Sequence, residues 1–310
     1  SLRSYSHIWK VKMAAGNPIY KYLHSLKASE IGSSADITLV KDQQPLEEVV
    51  NLFAEKKITS APCVSSDGAV LGYIDMLDIV TYIVSVSPDK WCLDHQQLQS
   101  LETAGRAISC VAAEEIKNAS GRDPYVPVYE TDPATECITH FANGVHRICI
   151  VDSSGTPKHS FSQSDMAKLL SEELKKSHSK AISAKSIKEL GLGCWSTPVT
   201  CGEKDTVLKA LEILSDKKIS ALAVVKENGT LSANFSATDL VGLYRKQLPD
   251  LLMPVNDYLT KYSEKATNPV TIRHDTSLLQ AVQTMAEEKI HRVWVIDDDF
   301  KPVGVVSLTD

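Results

Sequence analysis

The chain has 310 residues, 43% of them hydrophobic and 23% charged, with 33 Lys and Arg against 39 Asp and Glu and a net charge of −6. That balance is ordinary for a globular protein; it offers no basic stripe for nucleic acid, and apolar runs such as residues 79–86 are too short to span a bilayer. Seven scattered cysteines, odd in number and without a C-x-x-C pair, argue for reduced thiols rather than a disulfide frame or a zinc site.

Residues 1–25 are polar and aromatic, carry Lys10, Lys12 and Lys21, and read as an N-terminal arm or lead-in helix. Residues 26–88 then set out a pattern. Ile37 to Val40 reads as a strand. Pro45 opens a helix in which Leu46, Val49, Val50 and Phe53 recur at i, i+3, i+4 and i+7. Ala61 to Val64 and Val70 to Ile74 read as strands around the turn Ser65-Ser-Asp-Gly68, and Asp78 opens an apolar-periodic helix through Ile79, Val80, Ile83 and Val84. A polar, helical stretch at 89–103 leads to a second copy at 105–174. A Lys- and Ser-rich linker at 175–183 precedes a third copy at 184–247, and a fourth fills 253–310. After Asp239 the third copy continues into a helix with Leu240, Val241 and Leu243, whereas the fourth stops at Asp310 with the last helix of the pattern absent. Strand, helix and strand repeated in this way predict an α/β unit with helices against a small sheet. Each unit is too small for a full core, so adjacent units are expected to pack in pairs, as two halves of two repeats.

The copies register without a gap. Each carries a short polar tag ending in Asp: Asp75-Met-Leu-Asp78, Ser162-Gln-Ser-Asp165, Ser236-Ala-Thr-Asp239 and Ser307-Leu-Thr-Asp310. Offsets of 232, 145 and 71 carry the first three onto the fourth; they also place Ile58, Val145 and Ile219 on Ile290. A tag sits where a strand gives way to a helix, whose first N–H groups and positive dipole end suit an anion. An ionised Asp accepts hydrogen bonds only and can take both hydroxyls of a ribose. The bland alternative is that Ser and Asp simply cap the helices. A second set of residues favours a ligand: His146-Arg147 and His291-Arg292 stand at the head of a core strand in the second and fourth repeats, where the first and third have Thr59-Ser60 and Ser220-Ala221. Packing does not need Arg there, and its planar fork of donors suits phosphate, with His adding a donor whose charge varies near neutrality. The alternative for these is a solvated strand-edge Arg paired with an acid such as Asp297. Phosphate loops of the G-x-x-x-x-G-K type and H-E-x-x-H are absent, Gly191-Leu-Gly193 carries little weight, and Asp297 to Asp299 read as a solvated turn rather than a metal site. Trp91, Trp195 and Trp294 read as packing or interface residues.

The repeats resemble cystathionine-β-synthase-type (CBS) repeats, paired as Bateman modules. More closely, the chain is similar to the gamma, energy-sensing subunits of AMP-activated/SNF1-type protein kinases. The carrying stretches are residues 288–297 with 303–310, and Ser186-Ile-Lys-Glu-Leu190, residues 220–225 and Ser236-Ala-Thr-Asp239. The resemblance implies four CBS repeats in two Bateman modules packed as a disc, with AMP, ADP or ATP as regulatory ligands, ribose on the tag Asp and phosphates on a central basic cluster. It casts Asp239 and Asp310 as ribose acids, Ser307 and Thr309 as flanking hydroxyls, and His146, Arg147, His291 and Arg292 as phosphate ligands. Ser236, Thr238, Asp165, Ser162 and Asp78 join the candidate nucleotide-binding set through their tags. The chain departs from the family at Thr59, where an Arg is often found, at Asp75 and Leu77, where hydroxyls are expected, and at Asp165, an acid that the animal second repeat lacks. The resemblance further implies a cytoplasmic, or also nuclear, non-catalytic subunit. Its partners would be a kinase catalytic subunit and a beta-type scaffold subunit, not nucleic acid or membrane. The alternatives are a stand-alone adenosyl-ligand sensor acting on another enzyme or transporter, and a structural CBS-repeat protein with empty clefts. A nucleotide-hydrolysing enzyme finds no acid, base or metal constellation in the sequence.

Overall fold

A strand that returns parallel to its predecessor needs a crossover, and in every repeat the amphipathic helix of the sequence pattern supplies it. The computed structural model describes residues 18–32, 37–85, 111–121, 124–176, 179–242 and 245–310. Helices α1 (Pro18–Ser25) and α2 (Ala28–Ile31) lead in, followed by β1 (Val40–Lys41), α3 (Leu46–Lys56), β2 (Ser60–Val64), β3 (Val70–Asp75) and α4 (Met76–Ser85). The second repeat runs through α5 (Ala113–Ile116), β4 (Pro127–Tyr129), α6 (Ala134–Ala142), β5 (Arg147–Val151), β6 (Pro157–Ser162) and α7 (Gln163–Leu174). The third has α8 (Lys180–Ser183), β7 (Thr200–Gly202), α9 (Val207–Lys217), β8 (Ala221–Val225) and β9 (Leu231–Ser236), then 3-10 turns at Ala237–Leu240 and Arg245–Leu252. The fourth has α10 (Val255–Tyr262), a 3-10 turn at Glu264–Thr267, β10 (Thr271–Ile272), α11 (Leu278–Glu288), β11 (Arg292–Ile296) and β12 (Pro302–Ser307).

Each repeat forms its own three-stranded sheet, with the first strand parallel to the second and the third antiparallel to it. A register shift recurs at the same place in all four, between Cys63 and Val64, Ile150 and Val151, Val224 and Val225, and Val295 and Ile296. Such a repeated bulge is a feature of the unit rather than a local defect. The first strand is shorter than the sequence suggests: Val40–Lys41 stands where Ile37 to Val40 is expected. A two-residue strand carries too little alternation to locate from pattern. The tag Asp lies inside the first helical turn rather than at its start, α4 beginning at Met76. After Asp239 the described chain turns as 3-10 rather than α-helix; Gly242 at φ +90° and Pro249 both oppose a continuous α-helix there. The expected linker also carries structure: Ile182 in α8 packs on the adjoining core, and Ser179 and Ser183 are buried. Most of the expected N-terminal arm and the polar stretch at 89–103, with Trp91, lie outside the described residues.

The chain divides into two compact units that cut across its two halves. One comprises the described residues of 38–124 and 199–269, that is, the first and third sheets with the lead-ins to the second and fourth. Its core joins Val49, Phe53, Ile79, Val80 and Ile83 to Leu208, Leu211, Leu214, Leu222 and Leu259. The other comprises those of 1–37, 125–198 and 270–310, with the second and fourth sheets. Its core has one cluster around Leu23, Phe141, Ile148, Phe161, Leu174 and Val282, and another around Ile187, Ala281, Met285, Val293 and Val306. Trp294 is buried on β11, and Trp195 is partly exposed. No described helix is long and apolar enough to cross a membrane.

Candidate functional site

The four tags adopt one geometry. In each, the carboxylate of the Asp turns back to accept the N–H of the residue three before it: Asp78 from Asp75 at 2.9 Å, Asp165 from Ser162 at 3.1 Å, and Asp239 and Asp310 from Ser236 and Ser307 at 2.7 Å. Where that residue is Ser, its hydroxyl also donates to the same oxygen, at 2.7–2.9 Å. In the first repeat Asp75 replaces it, and its Oδ1 takes the N–H of Asp78 at 2.8 Å. The first three tags are therefore reciprocal caps, which satisfy backbone donors at the start of the helix or turn. Capping consumes Oδ2 and leaves Oδ1 of each Asp for another donor.

That second oxygen separates the repeats. Asp78 is 2% exposed, and its Oδ1 takes the Ser120 N–H at 2.8 Å. Oδ1 of Asp239 takes the hydroxyl of Ser263 at 2.5 Å. Burial raises the pKa of Asp239, against the lowering by hydrogen bonds from Ser263 and Ser236. Asp310 is likewise raised by burial, while Ser307, the Gly193 N–H and the charge of Arg292 pull it down. Asp165 is the open one: its side chain is 36% exposed, with Lys168 Nζ at 3.4 Å from Oδ1. Gly193, given little weight in the sequence, thus stands beside a tag. It sits at φ +85°, and a Cβ there would lie 2.8 Å from the Val305 carbonyl oxygen, so only glycine fits. The neighbouring Cys194 pins this loop to β12 by exchanging hydrogen bonds with Val305, at 2.8 and 3.0 Å.

The two His-Arg pairs come together within one unit. Arg147 lies opposite Ser162 across β5 and β6, and Arg292 lies opposite Ser307 across β11 and β12. Each Arg is therefore the cross-strand neighbour of the capping Ser of its own tag. His291 feels all of the set: burial first, then the charges of Arg292, His146 and Arg147, push its pKa down from 6.5 to about 4. The four side chains are partly buried. The suggested pairing of the strand-head Arg with Asp297 finds no support, since Asp297 Oδ1 accepts the N–H groups of Asp299 and Lys301 in its own turn. That turn is solvated, as expected, with Asp298 bound to Arg273 at 2.9 Å.

The candidate residues thus fall into two groups. His146, Arg147, Ser162, Asp165, His291, Arg292, Ser307, Thr309 and Asp310 share one compact unit; Asp78, Ser236, Thr238 and Asp239 share the other. Thr238 and Thr309 are exposed, with the Thr238 hydroxyl 2.6 Å from that of Ser236. Sequence reasoning missed Ser120 and Ser263, the donors to the second oxygens of Asp78 and Asp239, and Gly193 beside Asp310. Chemically, the first unit offers carboxylates able to accept hydroxyls beside a cationic cluster able to hold an anion. Among the described residues no group of His, Cys, Asp and Glu is arranged to hold a metal ion.

The CBS domain model matches residues 28–85, 114–172, 187–246 and 258–310. Over 304 residues the chain is 23% identical to the gamma subunit of 5'-AMP-activated protein kinase of Saccharomyces cerevisiae, covering 94% of this chain and 90% of that one. Over 298 residues it is 24% identical to protein SDS23 of Eremothecium gossypii, covering 89% of this chain but 60% of the relative. Among solved structures, a Methanocaldococcus jannaschii protein proposed as an archaeal homologue of the same gamma subunit superposes with a TM-score of 0.70. It is 16% identical, with 92% of this chain and 98% of that one covered. At that identity the likeness speaks for the fold.

Proposed function

The chain belongs to the CBS domain family, and from that premise we propose that it is a non-catalytic regulatory subunit that binds adenine nucleotides and passes their occupancy to a protein kinase. One observation carries the reading: His146, Arg147, His291 and Arg292 converge in one compact unit, each Arg directly across the sheet from the capping Ser of an Asp tag. A nucleoside phosphate matches that arrangement, with its sugar hydroxyls donating to Asp310 or Asp165 and its phosphate accepting from the Arg forks. Charge-assisted hydrogen bonds contribute roughly 1.5–3 kcal/mol each, so a few of them reach micromolar affinity, about −8 kcal/mol. The adenine base and the kinase partner rest on similarity to the yeast subunit, whose name gives AMP as the activator of its kinase. On this reading the chain works with a catalytic subunit and a beta-type scaffold subunit in the cytoplasm.

Calorimetric titration tests the nucleotide half. Arg147→Lys and Arg292→Lys keep the charge and lose the bidentate fork. AMP affinity is expected to fall about tenfold or more, the worth of one charge-assisted bond, while adenosine affinity changes little. Equal losses for both ligands would mean that the arginines support the fold instead. Affinity purification from the native cells tests the partner half: a copurifying kinase whose activity responds to AMP is expected. The similarity to SDS23, which is not named as a kinase subunit, supports a second reading as a nucleotide sensor without a kinase. Recovery of the chain with non-kinase partners, together with intact AMP binding, would select it.

A further inference from the structure

From the geometry around Asp239 we infer that Ser263 is an internal stand-in for a ligand hydroxyl, which holds the third repeat's tag closed and decides whether it takes a nucleotide. The inference rests on the proposed nucleotide binding and deepens it, naming what regulates one of its acids. The Asp239 carboxylate already has three donors: the Ser236 N–H and hydroxyl on Oδ2, and the Ser263 hydroxyl on Oδ1 at 2.5 Å. A carboxylate offers about four acceptor positions, so little remains for a sugar diol. The Ser263 contact is of the same chemical kind as the one a ribose would make, an aliphatic hydroxyl donating to a partly buried carboxylate.

The segment that presents Ser263 is anchored. It follows α10, whose Tyr258 and Leu259 are buried in the unit's core. The Ser263 N–H donates to the Leu259 carbonyl at 2.7 Å, and the Ala266 N–H returns to the Ser263 carbonyl at 2.8 Å. The last turn of α10 is tied to the preceding 3-10 turn through Asp250, which takes Lys261 Nζ at 3.0 Å and the Tyr262 hydroxyl. The plug is therefore held by the backbone, yet its contact is a single side-chain bond that one χ1 rotation breaks. Asp310 differs: the group beside its carboxylate is the backbone N–H of Gly193 rather than a side-chain hydroxyl of a neighbouring segment. Asp165, with only Lys168 described near Oδ1, needs no such release. The open Asp165 shares its unit with the arginines, so occupancy is expected there first, with the Asp239 tag filling only once Ser263 turns away.

AMP titrations of the 310-residue chain test this with the wild type, Ser263→Ala, Ser263→Thr and Arg292→Lys. Removing the hydroxyl leaves a carboxylate oxygen that a ligand can satisfy. Ser263→Ala should therefore add a binding event, or tighten a weak one by about ten- to a hundredfold, the range of one charge-assisted bond. That event should persist with Arg292→Lys and vanish with Asp239→Asn, while Ser263→Thr, which keeps the hydroxyl, should titrate as the wild type does. Ser263→Gly removes the same hydroxyl and serves if the alanine variant does not fold. Unchanged stoichiometry and affinity in both hydroxyl-free variants, with a wild-type event still weakened by Arg292→Lys, would overturn the role of Ser263 alone. Failure of every protein to bind AMP would overturn the nucleotide reading and this inference with it.

Discussion

His291 shows what one residue reports about its surroundings. Its imidazole is held near pKa 4 by burial and by Arg292, His146 and Arg147, whereas an unfolded chain would protonate it near 6.5. Between those values the unfolded state binds more protons, so this group makes stability fall as pH falls from about 6.5 to 4. Asp239 and Asp310 are raised by burial and act the other way, losing stability as pH rises through their folded values. Both remain in a His291→Gln variant, so the difference between variant and wild type isolates the imidazole. The melting temperature of the wild type is expected to drop more steeply between pH 7 and pH 4.5, by an amount bounded by about 1.4 kcal/mol per unit of pKa shift. Parallel profiles would show that the basic cluster is not built as described. Both His-Arg pairs and all four tags were legible in the sequence because the repeats hold them in register. The groups that meet the tag carboxylates from outside the tags were not. In the fourth repeat's frame Ser120, Gly193 and Ser263 fall at 265, 264 and 263, close without coinciding. Ser120 and Gly193 act through the backbone, which side-chain identity does not record.

At the scale of elements, the crossover helices were readable from their apolar spacing, but their ends were not. α3, α9 and α11 each finish on a lysine in the left-handed region, Lys57 at φ 54°, Lys218 at φ 51° and Lys289 at φ 56°. The second repeat has Gly144 at the same register, at φ 92°. Glycine is the residue that suits this position, and an exposed lysine carries no signal of a stop. The left-handed region costs an L-residue roughly 1–2 kcal/mol, offset in part by the greater freedom of glycine in the unfolded chain. Lys218→Gly is therefore expected to stabilise the chain by about 0.5–1 kcal/mol, seen as a higher denaturant midpoint at unchanged slope. Gly144→Ala should destabilise it by at least as much. A lower midpoint for Lys218→Gly would mean that the lysine side chain contributes something its exposure does not reveal.

For the whole molecule, the four-repeat α/β plan could be read from the sequence, but the expected pairing of adjacent repeats is not how the helices share their cores. All four carry the same apolar period, so periodicity finds the buried face of a helix without naming its partner. The structure supplies the partners: α4 of the first repeat packs on α9 of the third, and α7 of the second on α11 of the fourth. Both compact units therefore draw on both halves of the chain. Separating residues 1–178 from 179–310 would uncover Ile79, Val80 and Ile83 on one piece and Leu208, Leu211 and Leu214 on the other. It would also part Val282 from Leu174 and its neighbours. Burying one such side chain is worth about 1.5–3 kcal/mol, so several together rival the 5–15 kcal/mol that typically holds a domain folded. Produced alone, each half is expected to self-associate or precipitate. Produced together, the halves are expected to copurify as a one-to-one complex, with far-ultraviolet circular dichroism matching the intact chain. Two monomeric, cooperatively melting halves that ignore each other on size exclusion would show that each half completes a core without the other.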